Sequence, residues 1–186
     1  EKLDTLSTGD YLILAGSVPS SMSQTIYMDI MKHLSGKGVK IVVDATRDLL
    51  RNVLEYKPFL IKPNNIELGD VFDKVLKTPD DVIPYAMKLQ EMGAANVLVS
   101  LAGNGAVLVS EDGNIYRASA PKGTVINSVG AGDSMVAGFL SGLIETADYE
   151  KALIKGICAG SASAFSVGFG SPELMARLIA EYNNEY

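Results

Sequence analysis

The stretch "INSVGAGDSMVAGFL" (126–140) sets an acid, Asp133, directly after Gly130 and Gly132, where a helical segment begins. Glycines permit close backbone approach, so the N–H groups of residues 130–133 can converge on an anion at the positive end of a helix. A phosphoryl group in transfer is such an anion, and a nearby carboxylate can take the proton that the acceptor hydroxyl loses. The alternative role for Asp133 is a helix cap, because acids are common in the first turn. Spacing alone leaves the two interpretations even.

The elements that must position this acid follow a βαβ rhythm, because short apolar runs alternate with longer amphipathic segments. We predict strands at 11–15, 39–45, 58–63 and 96–101, with helices at about 21–34, 48–55, from 64 onward, and at 80–91. The runs 11–15, 41–43 and 97–101 are apolar without alternation, which is typical of parallel strands covered on both faces. We therefore expect a largely parallel central sheet.

The pattern changes in the last part of the chain. The stretch "GAVLVSEDGNIYRAS" (105–119) sets two strand-like runs about Asp112-Gly113, which predicts an antiparallel edge hairpin with a type I′ turn. From Ala131 onward we predict helices at about 131–146, 149–166 and 172–184. Residues 1–186 show no repeat or linker, so the expectation is a single α/β domain with a helical C-terminal third.

Four glycine- or asparagine-containing loops fall where strands enter helices, at 15–21, 62–67, 100–106 and 130–133. Ligands of parallel α/β sheets bind beyond the carboxyl ends of the strands, so these loops form the predicted binding edge. In the second loop, Asn64 followed three residues later by Glu67 also fits a helix-capping box.

Composition narrows the class of protein. The chain has 186 residues, 47% of them hydrophobic and 20% charged, which fits a globular domain. A net charge of -6 and a pI near 4.8 argue against nucleic acid or anionic membranes as partners. The single cysteine, Cys158, lies in an apolar stretch where a small buried side chain is expected. We expect a cytoplasmic protein.

The stretch "NSVGAGDSMVAGFLSG" (127–142) is similar to the C-terminal signature of the PfkB carbohydrate kinases, usually D-T-x-G-A-G-D-x-F-x-A-G. "KPNNIE" (62–67) resembles the N-x-x-E magnesium motif of that family. With "AGSVPSSM" (15–22) and "VVDAT" (42–46), the resemblance is strongest to bacterial kinases of fructose 1-phosphate, and tagatose-6-phosphate kinases are close relatives. It implies a ribokinase-like three-layer α/β/α sandwich.

The resemblance also implies roles for particular residues. Asp133 would be the general base, and Gly130, Ala131 and Gly132 would form the anion hole. Asn64 and Glu67 would act around Mg²⁺ through water, and Lys62 would bind substrate phosphate; the alternatives are the capping box and a solvated lysine at a strand end. The residues expected to approach the ATP are Ser100, Gly103, Gly105 and Gly160, for which turns and close helix packing are the alternatives.

Three positions depart from the family pattern. Asn127-Ser128 replaces Asp-Thr, which removes a carboxylate that the family links to a monovalent-cation site. Ala102 stands where the nucleotide loop usually has its first glycine. Its methyl group limits how closely the backbone can approach the nucleotide there. Met135 replaces phenylalanine, an apolar change. Asp44 and Arg47 also follow a strand at the binding edge, where a minor ligand role is the weaker interpretation.

The resemblance covers only the C-terminal part of such kinases. The sugar-binding aspartate, a glycine-rich phosphosugar loop and a β-sheet lid that pairs subunits into homodimers belong to the part that this chain does not resemble. The main hypothesis is an ATP-dependent kinase of fructose 1-phosphate, with the isolated piece inactive. Kinase activity on tagatose 6-phosphate and a non-catalytic binding module are the alternatives. An oxidoreductase is disfavoured because no G-x-G-x-x-G follows the first strand.

Overall fold

The computed structural model describes residues 1–19, 21–45 and 47–185. They group into two compact units: Glu1–Val99 with Val109–Asn114, and Ser100–Leu108 with Ile115–Tyr186. The described residues form six strands in one sheet, in the order β1-β2-β3-β4-β5-β6. The single domain expected from the sequence stays a prediction.

The first unit is built from alternating strands and helices. Its elements are β1 (Tyr11–Ala15), α1 (Ile26–His33), β2 (Lys40–Asp44), α2 (Arg47–Val53), β3 (Leu60–Ile61), α3 (Asn65–Phe72), α4 (Pro79–Glu91) and β4 (Asn96–Ser100). Strands β1 to β4 pair in parallel with their sequence neighbours. Helix α1 packs on α2, α2 on α3, and α3 on α4. The predicted parallel sheet is confirmed.

The interior of this unit consists of the apolar strand residues. Val42, Val43, Leu60 and Ile61 are completely buried, as the lack of alternation predicts. The prediction that β1 is covered on both faces is wrong, because Ile13 is 45% exposed. Strand β1 ends the strand order and pairs only with β2 among the described strands.

Helix α1 begins five residues later than predicted, and side-chain hydrogen bonds account for the difference. Ser23 Oγ accepts from the Thr25 backbone N–H at 3.1 Å and lies 2.6 Å from Thr25 Oγ1, which in turn donates to Asp29. Serine and threonine side chains that bond to the nearby backbone compete with the helix, so residues 21–25 lie outside α1.

The hairpin is present, but its turn type differs from the prediction. Strands β5 (Ala106–Val109) and β6 (Ile115–Ala118) are neighbours in the sheet, and residues 110–114 are too few for a parallel crossover. A type I′ turn needs positive φ at both central residues, whereas Gly113, at +84°, has positive φ and Asp112 does not. Gly113 N–H donates to Ser110 O, and Ser110 N–H donates to Asn114 O. This is a type I turn with a glycine bulge.

The second unit contains the helical part of the chain: α5 (Ala131–Thr146), α6 (Tyr149–Ala164) and α7 (Pro172–Glu185). Helix α6 packs on α5, on α7 and on β6. Asp148 caps α6, its carboxylate accepting from the N–H groups of Glu150 and Lys151. No helix within the described ranges is long and apolar enough to cross a membrane.

Candidate active site

The acid singled out by the sequence lies at the start of α5. The helix begins after Gly130, which adopts left-handed φ of +79° and provides no side-chain cap. A Cβ on Gly130 would lie 2.9 Å from the ring of Phe169. The backbone conformation therefore favours glycine at the turn before α5, and a side chain there would also displace the exposed ring of Phe169.

Asp133 is the third residue of α5 and is exposed. Within the part of the chain that the structure describes, its carboxylate has no hydrogen-bond or ion-pair partner, so the capping role is not realised. A carboxylate that stabilises no local structure is available for proton transfer.

The amides beside Asp133 are only partly free. Ala131 N–H donates to Ser128 O at 3.2 Å and Ser134 N–H donates to Gly130 O at 2.9 Å. Among the described residues, no acceptor holds the N–H groups of Gly132 and Asp133. These two amides at the positive helix end suit an anion better than that of Ala131, which the sequence had placed in the anion hole.

A cavity of about 460 Å³ opens beside Asp133 within the second unit. Its lining includes Ser134, Lys155, Phe169, Gly170 and Met175. Ser134 Oγ lies 2.7 Å from Ser163 Oγ, which accepts from Gly170 N–H at 3.0 Å. This partly buried hydroxyl pair links the start of α5 to the segment after α6, and nothing local in the sequence indicates that contact.

Helices α5 and α6 approach closely through glycines. A Cβ on Gly138 would lie 2.6 Å from Ala159 Cβ, and one on Gly160 would lie 3.0 Å from Ala131 O. Gly142 and Gly156 make similar contacts. Close packing therefore explains Gly160, and its predicted role at the nucleotide rests on the resemblance alone.

The loop expected to approach the nucleotide joins β4 to β5. Gly105, at φ +89°, is buried, and a Cβ there would meet Ala118 O at 2.0 Å, so this glycine is required by packing. Gly103 is exposed with open space around it, and Ser100 is half-buried. Ala102 adopts the left-handed region at φ +48°, which is strained for a residue with a Cβ.

In the first unit, Lys62 is not the solvated lysine considered as an alternative. Its side chain is 7% exposed, and its Nζ lies 3.3 Å from Asp44 Oδ1, whose side chain is 16% exposed. Tyr27 lies nearby, and burial together with the Asp44 charge raises its pKa. The ion pair places Asp44 in contact with a predicted site residue; the side chain of Arg47 lies outside the described residues.

Asn64 and Glu67 form the complete capping box of α3. Asn64 Oδ1 accepts from the N–H groups of Ile66 and Glu67 at 2.9 and 2.8 Å, and Glu67 Oε2 accepts from Asn64 N–H at 2.8 Å. Both lone pairs of the amide oxygen are thus used. Glu67 Oε1 remains for another partner. Within the described residues, no group of three or more histidine, cysteine or acidic side chains forms a metal site.

Other polar residues have local explanations. At the end of α1, His33 Nε2 lies within hydrogen-bond distance of Asp4 Oδ1, at 2.7 Å. The hydrogen bond with His33 lowers the pKa of Asp4. Cys158 is a free, buried thiol as expected, and burial raises its pKa to about 12. It is therefore unsuited to thiolate chemistry.

This chain is similar in sequence to known phosphosugar kinases. A 1-phosphofructokinase of Bacillus subtilis (strain 168) is 41% identical over 181 residues, covering 97% of this chain and 59% of the relative. A D-tagatose-1-phosphate kinase of Bacillus licheniformis is 31% identical, covering 91% of this chain and 56% of the relative. This chain thus spans less than two thirds of the length of these relatives.

Solved structures show the same fold. The phosphofructokinase-2 of Escherichia coli, in complex with substrates and products, matches with a TM-score of 0.90 at 28% identity, over 98% of this chain and 60% of that one. An Arabidopsis thaliana ribokinase complexed with ribose and ATP matches with a TM-score of 0.76 at 20% identity, over 91% of this chain and 55% of that one. The ribokinase-like fold is confirmed. Residues 1–175 match the pfkB family of carbohydrate kinases, and the chain belongs to this family.

Proposed function

We propose that the protein is an ATP-dependent phosphosugar kinase that converts fructose 1-phosphate to fructose 1,6-bisphosphate, with Asp133 as general base. The observation that carries this proposal is the exposed Asp133 carboxylate at the positive end of α5, beside the free amides of Gly132 and Asp133. The similarity to a 1-phosphofructokinase over nearly the whole chain supports the choice of substrate.

In the proposed reaction, the sugar hydroxyl attacks the γ-phosphorus of ATP in line with the leaving ADP oxygen. Asp133 takes the hydroxyl proton as the new oxygen–phosphorus bond forms. The amides at the start of α5 donate to the phosphoryl oxygens, which carry more charge in the transition state. Gly130 makes this geometry available because glycine adopts its left-handed backbone conformation without strain.

The residues present fit a magnesium ion held through its water shell. Mg²⁺ is therefore the proposed cofactor, with ATP as cosubstrate. Asn64 Oδ1 is saturated by two backbone donors, so a direct bond from this oxygen does not fit. Glu67 Oε1 is the carboxylate oxygen left for a metal-bound water, in keeping with the water ligands that Mg²⁺ retains. Bound there, Mg²⁺ would neutralise charge on the transferring phosphates.

The substrates would be held by the loops at the strand ends. Lys62 would donate to a phosphate oxygen, and Ser100, Gly103, Gly105 and Gly160 would lie near the nucleotide. The glycines at 105 and 160 are explained by packing, so their contribution would be to shape the site rather than to contact ATP through a side chain. A homodimer through the lid, and a cytoplasmic location, complete the proposal.

The test is a substrate panel on the full-length protein, with fructose 1-phosphate, tagatose 1-phosphate, tagatose 6-phosphate and fructose 6-phosphate. The tagatose compounds are included because a relative is a D-tagatose-1-phosphate kinase. Turnover of fructose 1-phosphate that requires ATP and Mg²⁺, with the highest kcat/KM of the panel, is expected. ATP binding without turnover of any phosphosugar would instead identify a non-catalytic binding module.

Replacing Asp133 by asparagine tests the base directly. Asp133→Asn is expected to lower kcat at least about 10²-fold while ATP affinity stays nearly unchanged, because loss of a general base affects proton transfer. Asp148→Asn is the matched control, since it makes the same change at the start of α6, where asparagine also caps well. A folded Asp133→Asn enzyme with normal kcat would rule out the proposed role.

A further inference from the structure

Two neighbouring strand ends in the first unit carry opposite charges. Strand β2 ends at Asp44, and β3 ends at Ile61, just before Lys62. Lys62 N–H donates to Val43 O at 3.2 Å, which extends the pairing of these strands by one residue. The two side chains therefore leave adjacent strands at the same edge of the sheet and meet with 3.3 Å between Nζ and Oδ1.

The burial of this pair separates it from ordinary surface ion pairs. The lysine is 7% exposed and the aspartate 16%, whereas the partners in the pair of Lys151 and Asp148, also 3.3 Å apart, are 68% and 37% exposed. A buried ammonium is costly unless a counter-charge compensates for its lost hydration. Asp44 supplies that charge.

The pair also fixes where the ammonium lies. A lysine side chain is a flexible stem with three N–H donors on a compact head, so a defined position requires a fixed partner. Among the described residues, Asp44 is the charged partner of this ammonium, which carries further N–H donors that a ligand can use. The lysine shortly precedes the residue that caps α3, Asn64, so its backbone lies between the end of β3 and the start of α3.

We propose that Asp44 is a positioning residue for Lys62, holding its ammonium at the carboxyl ends of β2 and β3 so that a free N–H meets a phosphate oxygen of the substrates. This inference rests on the proposed kinase function, in which Lys62 binds phosphate. Asp44 acts through the lysine and does not itself contact the reacting groups.

The main test uses Asp44→Glu in the full-length kinase, because this change keeps the compensating charge and displaces the carboxylate by one methylene, about 1.5 Å. We expect kcat to fall at least about tenfold, with a smaller change in the KM values, since misplacement of about 1 Å can cost up to 10²-fold. In a Lys62→Met background, Asp44→Glu should have no further effect on kcat. Asp148→Glu, the same change in an ion pair of equal length, is the control and should leave kcat unchanged.

The other outcomes separate the hypotheses. Normal kcat in Asp44→Glu while Lys62→Met is impaired would overturn the inference and leave the kinase function standing. So would an undiminished loss in the Lys62→Met background, because Asp44 would then act independently of the lysine. If Asp44→Glu does not fold, Asp44→Asn replaces it, because asparagine keeps the size of the side chain. Its kcat is then measured alone and in the Lys62→Met background. No turnover by the unmodified kinase would overturn the proposed function, and this inference with it.

Discussion

At the scale of single residues, Glu67 shows how one side chain can serve structure and chemistry together. Its Oε2 accepts a hydrogen bond from Asn64 N–H and so completes the capping box of α3. Its Oε1 takes no part in the cap. On the sequence alone, capping and magnesium binding are alternative roles for this residue. The geometry makes them compatible, because each uses a different oxygen.

Glu67→Gln separates the two roles, since glutamine can keep the capping hydrogen bond and loses only the charge. We expect the Mg²⁺ concentration for half-maximal rate to rise several-fold, because a hard cation binds a neutral amide more weakly. The free energy of unfolding should fall by no more than about 1 kcal/mol, the usual value of a charge at a helix N-terminus. Glu67→Ala, which also removes the cap, is the comparison. If Glu67→Gln needs the same Mg²⁺ concentration for half-maximal rate as the unmodified enzyme, Glu67 serves only to cap α3.

Ala102 raises a different question at the residue scale, because it occupies left-handed backbone at φ +48°. Ala102→Gly should raise the free energy of unfolding by up to about 1 kcal/mol by removing strain. Ala147, at φ +52° after α5, provides a matched control. Urea unfolding should show a gain for both glycine variants, whereas only Ala102→Gly should lower the KM for ATP. Equal ATP kinetics in the two variants would argue against nucleotide contact by this loop.

At the scale of elements, the contact between α5 and α6 holds the start of α5 in place. Gly138→Ala should destabilise the protein by about 1–3 kcal/mol, because the new methyl would lie 2.6 Å from Ala159 Cβ and 2.8 Å from Lys155 O. The shift of α5 should also lower kcat. Gly168→Ala, with open space around it, is the control for stability. If both variants have the same midpoint in denaturant, the helices are less tightly packed than the structure indicates.

The elements also show where sequence patterns succeed and fail. Helix α5 was predicted at 131–146 and has those bounds, because glycine before it and apolar spacing within it are local signals. The I′ turn was wrong, because Asp-Gly also suits a glycine bulge. The exposure of Ile13 and the burial of Lys62 depend on which strands are neighbours. Such contacts join residues distant in sequence, so the pairing of Asp44 with Lys62 had no local signal.

At the scale of the whole molecule, the acidic net charge of -6 contrasts with the anionic substrates that the protein is proposed to bind. Overall charge would repel such ligands weakly, and salt screens that repulsion over about 8–10 Å. Binding must therefore come from local features, such as the amides at the start of α5 and the Lys62 ammonium. Phosphate recognition by backbone N–H groups has the advantage that it needs no excess of basic residues.

The last prediction concerns the 186-residue chain on its own. The proposed anion site at α5 needs only local backbone geometry, so weak ATP binding is expected to persist. Phosphoryl transfer additionally requires an acceptor hydroxyl held in line and water kept out. The resemblance assigns those tasks to parts of the family that this chain does not span. Catalysis by the isolated chain should therefore be essentially absent.

Circular dichroism first shows that the chain is folded. Isothermal titration with ATP then tests the expected weak binding, and a coupled assay with fructose 1-phosphate tests the expected lack of turnover. Turnover at about 1–100 s⁻¹, typical of kinases, would show that these residues hold the sugar unaided. A folded chain that binds no ATP would mean that the amides of Gly132 and Asp133 are insufficient for an anion. Weak binding without turnover is the result expected when a preorganised helix end supplies charge stabilisation but nothing positions the acceptor.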